Sequence, residues 1–190
     1  VLRGDLGPSL QQSRSVNQIV AQHFPVSLEL GGWALAVALA LGAPAGIFAA
    51  LRANRPADYT TMGIAMVGLC LPTFVIGPLL ALGFAVNLGW LPPGGWFEPS
   101  SRVLPAISLG IVYAAVIARI TRGGMLEVLQ QNYLTTARAK GLPEWQILWK
   151  HTLRGGLVPT VSVLGPVLAG IMSGSFVIET VFQIPGMGRY

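Results

Sequence analysis

Charged side chains are scarce in this 190-residue sequence, and they are unevenly spread. Only 10% of the residues are Asp, Glu, Lys or Arg and 53% are hydrophobic, whereas soluble domains carry about 25% charged residues. No charged residue occurs at positions 59–97, 103–118 or 155–178. The second and third stretches are near the roughly 20 residues that cross a hydrocarbon core, and the first is longer. A soluble globular protein is therefore excluded, and the fold class expected is an all-α, polytopic bundle of transmembrane helices.

Cysteine and histidine are nearly absent, which limits the chemistry open to the chain. The single cysteine, Cys70, excludes an internal disulfide and a cysteine-based zinc site. The two histidines, His23 and His151, lie outside the three uncharged stretches and far apart in sequence, so they predict no metal or catalytic pair. An intramembrane hydrolase would need a nucleophile and a base on neighbouring helices. An enzyme is therefore the disfavoured alternative, and no metal site is expected.

Four hydrophobic helices are predicted, at about residues 25–51, 60–88, 104–120 and 157–182. Glycine and proline recur inside them, where they would break a soluble helix. Membrane helices tolerate such residues because neighbouring helices satisfy the freed backbone groups, and small residues also let helices approach closely. The pattern predicts a compact bundle, in which each helix contacts others, and not a set of isolated anchors.

Lysine and arginine are distributed asymmetrically about the predicted spans. One side carries eight of the twelve and the other carries four. The eight are Arg52, Arg55, Arg119, Arg122, Arg138, Lys140, Lys150 and Arg154. Because cytoplasmic loops are enriched in these residues, we expect the loop at 122–156 to face the cytosol. The same bias explains the net charge of +5, so nucleic-acid binding is not expected.

Residues 125–156 differ from the apolar stretches on either side of them. Apolar residues recur at helical spacing from Met125 to Ala137, which predicts an amphipathic helix that stops at Gly141. A second helix is predicted to start at Pro143. One face of this second helix is predicted to hold Trp145, Leu148, Trp149 and Thr152. Such a helical pair suits either a knob that a partner's groove binds or an interfacial pair resting on the bilayer.

Three short sequences in this region resemble a known family. They are Asn-Tyr-Leu-Thr-Thr-Ala-Arg-Ala-Lys-Gly-Leu at 132–142, His-Thr-Leu-Arg at 151–154 and Leu-Val-Pro at 157–159. Together they resemble the cytoplasmic coupling loop of ATP-binding-cassette importers, in particular the oligopeptide/dipeptide branch of binding-protein-dependent permeases. Similar matches follow in family order at 4–7, 55–58, 71–74, 88–92, 104–106, 119–122, 177–182 and 185–189. Two departures are the missing Glu of the general importer pattern and a Gly-Gly pair at 155–156, where the peptide branch commonly has Asn-Ala.

The resemblance implies a permease of the type I importer kind in a prokaryotic plasma (inner) membrane, with four of six expected spans present here. It implies partners: a second permease subunit, expected to form a heterodimer, two cytosolic ATPase subunits and an extracytoplasmic binding protein. The chain lacks a Gly-x-x-x-x-Gly-Lys-Ser/Thr phosphate loop, so we expect no bound cofactor and expect ATP and Mg on the partner subunits. Peptides are the implied cargo; permeases for nickel chelates, glutathione or sugars belong to the same branch. A passive channel would leave the coupling loop without a role.

Two groups of residues are predicted to carry function. The ATPase-coupling residues, within the 132–154 loop of the wider 125–156 coupling region, are Thr135, Ala137, Arg138, Lys140, Gly141, Leu142, Trp145 and Leu148. The residues predicted to line or gate a pathway are Pro72, Phe74, Gly174 and Glu179. Each group has a simpler alternative. Gly141 also suits an ordinary helix terminator, Arg138 and Lys140 suit plain cytoplasmic charges, and Glu179 suits a solvated interfacial acid.

Overall fold

The computed structural model describes residues 15–189, which form helices joined by short turns. The helices are α1 (Val16–Leu51), α2 (Pro56–Cys70), α3 (Thr73–Leu80), α4 (Val103–Leu129), α5 (Asn132–Ala139), α6 (Glu144–Gln146), α7 (Leu153–Gly156), α8 (Val158–Ser162) and α9 (Leu164–Val181). A wide π-helical turn, Ala81–Asn87, extends α3, and a 3-10 turn, Pro99–Arg102, precedes α4.

Three of these helical stretches are long and apolar enough to cross a membrane, namely Val16–Leu51, Pro99–Leu129 and Leu164–Val181. The pair α2 and α3 adds a fourth crossing if its two halves act as one broken span. Four predicted spans therefore correspond to three apolar helices and one interrupted pair. The predicted fourth span, 157–182, is divided at Val163 into α8 and α9. The first helix also starts at Val16, before the predicted start at residue 25, and Pro25 lies inside it.

The predicted continuous helix over residues 60–88 is wrong at one point. Leu71 and Pro72 are extended, with ψ angles of 123° and 144°, and they separate α2 from α3. The ring of a proline removes one N–H donor and disfavours the α conformation of the residue before it. Pro78, by contrast, lies inside α3 without ending it.

The predicted amphipathic helix from Met125 to Ala137 is also interrupted. Helix α4 continues past the predicted end at residue 120 to Leu129, and Gln131 is then extended, with φ −75° and ψ 139°. The break allows Leu134 and Ala137 of α5 to fold back and pack near Leu129. Burial of apolar surface therefore overrides the helical periodicity at this point.

Two compact units can be distinguished, and Leu35–Leu71 with Gly110–Ala169 form one of them. In this unit glycines permit close contact with α4. A Cβ at Gly42 would lie 2.5 Å from the carbonyl oxygen of Ala114, and one at Gly124 would lie 2.5 Å from that of Gly156. Such contacts between backbones are the usual reason for small residues in membrane helices.

The other unit comprises the remaining described residues. Its buried apolar side chains include Leu30, Leu104, Leu109, Ile171, Ile178 and Phe182. Gly95 donates a backbone hydrogen bond of 2.8 Å to the carbonyl oxygen of Phe182. This bond attaches the turn before α4 to the segment after α9.

Candidate coupling segment and pathway residues

Residues 132–156, here called the coupling segment, begin with α5 and a sharp reversal of the chain. Gly141 has a φ of +77°. Its N–H donates to the carbonyl oxygen of Arg138 over 2.9 Å, and Leu142 N–H donates to that of Ala137 over 3.3 Å. These two bonds are those of a Schellman motif, which ends a helix on a left-handed glycine. The sequence-based prediction of a turn at Gly141 is confirmed.

The space around Gly141 is open. A Cβ built at this position would meet no atom within 4 Å. The backbone angle, and not crowding within the chain, is therefore what favours glycine here. The turn is exposed on its outer side, where another protein can approach its backbone.

The second half of the coupling segment is a helix with a wide turn in its middle. Pro143 lies at its N-cap, α6 starts at Glu144, and residues Ile147–Thr152 have π-helical geometry. The hydroxyl of Thr152 donates to the carbonyl oxygen of Ile147 over 3.2 Å. The extra residue in this turn shifts the helical faces. Thr152 is buried, whereas Trp145 and Trp149 are exposed. The prediction that Thr152 shares one face with these two tryptophans is therefore wrong.

Three of the predicted coupling residues pack inside the chain. Ala137 is buried with Leu134 and Ile147, and Leu142 packs against this cluster. Leu148 packs against a second cluster of Ala50, Met125 and Leu153. These contacts attach the coupling segment to α1 and α4 near their C-terminal ends.

The other predicted coupling residues are exposed: Thr135, Arg138, Lys140, Gly141 and Trp145. The Arg138 guanidinium donates from Nε to Oε1 of Glu144 over 2.9 Å and joins α5 to α6. This hydrogen bond raises the pKa of Arg138, which is charged at every physiological pH. A cleft of about 250 Å³ lies beside the pair, with Trp145, Leu148 and Leu129 in its wall.

Trp149 was missed by the site prediction. Its side chain is 66% exposed, and the side chain of Trp145, four residues earlier, is 62% exposed. Two exposed tryptophans in the second half of the coupling segment leave a large apolar area uncovered. The signal was present in the sequence as their four-residue spacing, and tryptophan is enriched where proteins bind each other.

The predicted pathway residues all belong to the unit that contains α3 and α9. Pro72 is exposed at the N-cap of α3, Phe74 is 59% exposed two residues later, and Gly174 is half-buried in α9. Exposed apolar side chains on a membrane helix contact lipid, another subunit or a pathway. Their assignment to a pathway stays a prediction.

Glu179, the fourth predicted pathway residue, is fully buried near the end of α9. Its Oε2 accepts a hydrogen bond of 2.7 Å from Gly188 N–H, and its carbonyl oxygen accepts one of 2.8 Å from Ile184 N–H. The Cα of Gly186 packs against the carboxylate, and Oε1 has no hydrogen-bond partner within residues 15–189. Glu179 therefore organises the segment that follows α9, and the interfacial solvation considered as an alternative is not observed.

An ion pair between α2 and α4 was also missed. Arg122 donates from Nε to Oδ1 of Asp58 over 2.7 Å and from Nη2 to Oδ2 over 2.6 Å. Asn54 N–H adds a third hydrogen bond to the same carboxylate, of 2.9 Å. Only 1% of the Asp58 side chain is exposed. The sequence signal was weak, because Arg122 reads as one more cytoplasmic positive charge.

Comparison with known proteins agrees with this geometry. The chain is 49% identical over 189 residues to the oligopeptide transport system permease protein OppB of Escherichia coli K12, covering 98% of this chain and 62% of that protein. It is 46% identical over 191 residues to the dipeptide transport system permease protein DppB of Bacillus subtilis, covering 100% of this chain and 62% of that one. The chain thus spans less than two thirds of the length of these relatives.

A solved structure shares the fold at low sequence identity. An inward-facing structure of the MetNI methionine ABC transporter matches with a TM-score of 0.75 and 19% identity, covering 91% of this chain and 78% of the solved chain. Residues 42–190 match the family described as "Binding-protein-dependent transport system inner membrane component". With its several membrane-crossing helices and this match over most of its length, the chain belongs to the family of binding-protein-dependent transport system inner membrane components.

Proposed function

We propose that this chain belongs to the membrane-spanning subunit of an ATP-driven importer and forms part of the route by which peptides enter the cell. The observation that carries the proposal is the coupling segment. It offers an exposed glycine turn and two exposed tryptophans, while its inner face packs on the ends of α1 and α4. A surface of this kind suits a groove on a partner, and its rigid attachment transmits the partner's movement to the membrane helices.

The partner at the coupling segment is a cytosolic ATPase subunit. The asymmetry of lysine and arginine supports a cytosolic location for residues 122–156. ATP and Mg are bound by two such subunits, and this chain contributes neither a nucleotide site nor hydrolysis. A second permease subunit, in a heterodimer, completes the pathway, and an extracytoplasmic binding protein delivers cargo on the other side.

Peptides are the proposed cargo because the oligopeptide and dipeptide permease proteins share about half of the residues of this chain. The exposed side chains of α3, including Phe74 and Leu79, would border the route. A nickel chelate, glutathione or a sugar as the transported ligand would contradict the peptide assignment and leave the coupling mechanism intact.

The test uses the full-length chain assembled with its ATPase subunits, second permease subunit and binding protein in proteoliposomes. Uptake of labelled trialanine and the ATPase rate are measured for Gly141→Asp and Gly141→Asn. Both residues enter the left-handed region more readily than other side chains, and they are nearly equal in size. Gly89→Asp is the matched control, because Gly89 has a φ of +62° and open space around it but lies outside the coupling segment.

We expect Gly141→Asp to abolish uptake and to remove stimulation of the ATPase by the loaded binding protein. Gly141→Asn should retain part of both activities, and Gly89→Asp should retain most of them. The reason is that a negative charge is introduced where the backbone turn contacts the ATPase. Normal uptake by Gly141→Asp would show that the coupling segment is only a surface helix pair.

A further inference from the structure

The ion pair between α2 and α4 has an unusual setting. Among the residues of α2, all of which the structure describes, Asp58 alone is buried. A membrane helix is normally attached by apolar and small side chains, yet here the one fully covered side chain is a carboxylate. It lies in the first turn of the helix, beside Pro56.

Between its two ends, α2 does not pack closely against α4. A cleft of about 230 Å³ lies between them, lined by Met62, Ala65, Met66, Leu69, Ala115 and Arg119 as well as Arg122. The cleft opens to the surface of the chain, so it leaves room beside α2 and is not a void inside the protein. At the far end of α2, Gly68 approaches Ile111, with a Cβ position 3.2 Å from Cγ2. Helix α2 then stops at the extended Leu71.

The α4 side of the ion pair is tightly held. Thr121, next to Arg122, shares a buried hydrogen bond of 2.9 Å with Thr160. One turn further along, Met125 belongs to the cluster that includes Leu153 of the coupling segment. Arg122 thus lies on a stretch of α4 that packs against the coupling segment, whereas Asp58 lies on a helix whose other residues are exposed or only partly buried.

We propose that Asp58 and Arg122 form a pivot through which movement of the coupling segment is passed to α2. Arg122 is displaced with the end of α4, and the two-point hydrogen bond obliges Asp58 to follow. Helix α2 tilts about this point because the cleft leaves room beside it and the extended Leu71 and Pro72 interrupt the helix beyond Gly68. Both residues are positioning residues, and the proposal rests on the importer function proposed above.

The first test replaces the ion pair by apolar side chains of similar size, Asp58→Leu with Arg122→Met. Such replacements of buried pairs commonly preserve folding, but they remove the fixed two-point geometry. In the full-length complex we expect normal assembly and a normal basal ATPase rate. Trialanine uptake, and the stimulation of the ATPase by the loaded binding protein, should each be lowered about tenfold. The conservative variant Asp58→Glu should retain most uptake. Parental uptake by the apolar variant would overturn the pivot.

The second test restrains α2 directly, in a Cys70→Ala background. The pair Gly68→Cys and Ile111→Cys is oxidised to join the far end of α2 to α4, and the pair Thr121→Cys and Thr160→Cys is oxidised as a control on the α4 side of the ion pair. We expect uptake to stop with the first cross-link, to return on reduction, and to persist with the second. Continued uptake with the first cross-link, or equal loss with both, would overturn the pivot. If the parental complex itself imports no trialanine, the proposed cargo is wrong, and this result does not bear on the pivot. The effect of the two cross-links is then measured on the stimulation of the ATPase by the loaded binding protein.

Discussion

Two pairs of helices in the same unit are each joined by an arginine and a carboxylate, and the two pairs differ in their surroundings. Between α2 and α4, Asp58 is covered and Arg122 is 26% exposed. Between α5 and α6, Arg138 and Glu144 are 43% and 73% exposed. Both partners of the second pair are open to water, whereas the carboxylate of the first pair is covered.

The difference shows what holds each region. Where water surrounds the charges, an ion pair contributes little because solvent screens it. The coupling segment is therefore held by its apolar cluster and its glycine turn. Where the carboxylate is covered, breaking the pair raises the free energy of the folded state, because an unpaired buried charge is unfavourable. The attachment of α2 therefore depends on the ion pair.

The largest effect is expected for Asp58→Ala. The substitution leaves the Arg122 guanidinium without its partner in a covered site, so we expect a loss of about 3 kcal/mol in the free energy of unfolding, the low end for buried pairs because Arg122 retains some exposure. The free energy is measured by detergent-induced unfolding of the full-length protein. A loss comparable to that of an exposed ion pair would remove the distinction between the two regions.

An intermediate effect is expected for Thr121→Val. The change leaves the hydroxyl of Thr160 buried without its partner on α4, which costs about 1–2 kcal/mol. The double variant, Thr121→Val with Thr160→Val, should recover most of the loss, since neither hydroxyl is then unpaired. If the double variant were as unstable as the sum of the two single variants, the hydrogen bond would not be the cause.

The smallest effect is expected for Glu144→Gln. The side chain is exposed, and water replaces the ion pair with Arg138 at almost no loss. The unfolding midpoint should stay within experimental error of the parental value. A clear destabilisation would mean that the coupling segment depends on this pair, contrary to the contrast drawn with Asp58.

The sequence predicted the membrane-helix architecture and the turn at Gly141 because both depend on local composition. Uncharged stretches long enough to cross a membrane are rare in soluble proteins, and a glycine between two amphipathic segments is a common helix end. The break at Pro72 was not predicted, although Pro72 and Pro78 lie in the same apolar run. Only the packing around each proline decides which of them interrupts the helix.

Contacts between distant residues could not be predicted in the same way. Asp58 and Arg122 are 64 positions apart, and either charge alone suits a cytoplasmic loop. Glu179 reads as an acid at the end of a membrane helix, but its partner is the backbone N–H of Gly188. A backbone donor carries no sequence signal. The interrupted α4–α5 junction likewise depends on the burial of Leu134, which only the folded chain defines.

The most direct measurement of coupling is a cross-link between this chain and an ATPase subunit. Trp145→Cys is introduced in a Cys70→Ala background of the full-length complex, with Trp90→Cys as the control. The two tryptophans are similarly exposed, at 62% and 69%, but only Trp145 lies on the coupling segment. A short thiol-to-amine cross-linker should join Trp145→Cys to the ATPase subunit, with a yield that changes when ATP is added, and should leave Trp90→Cys unjoined. A cross-link to the ATPase from Trp90→Cys, or none from Trp145→Cys, would contradict the assignment of the coupling segment.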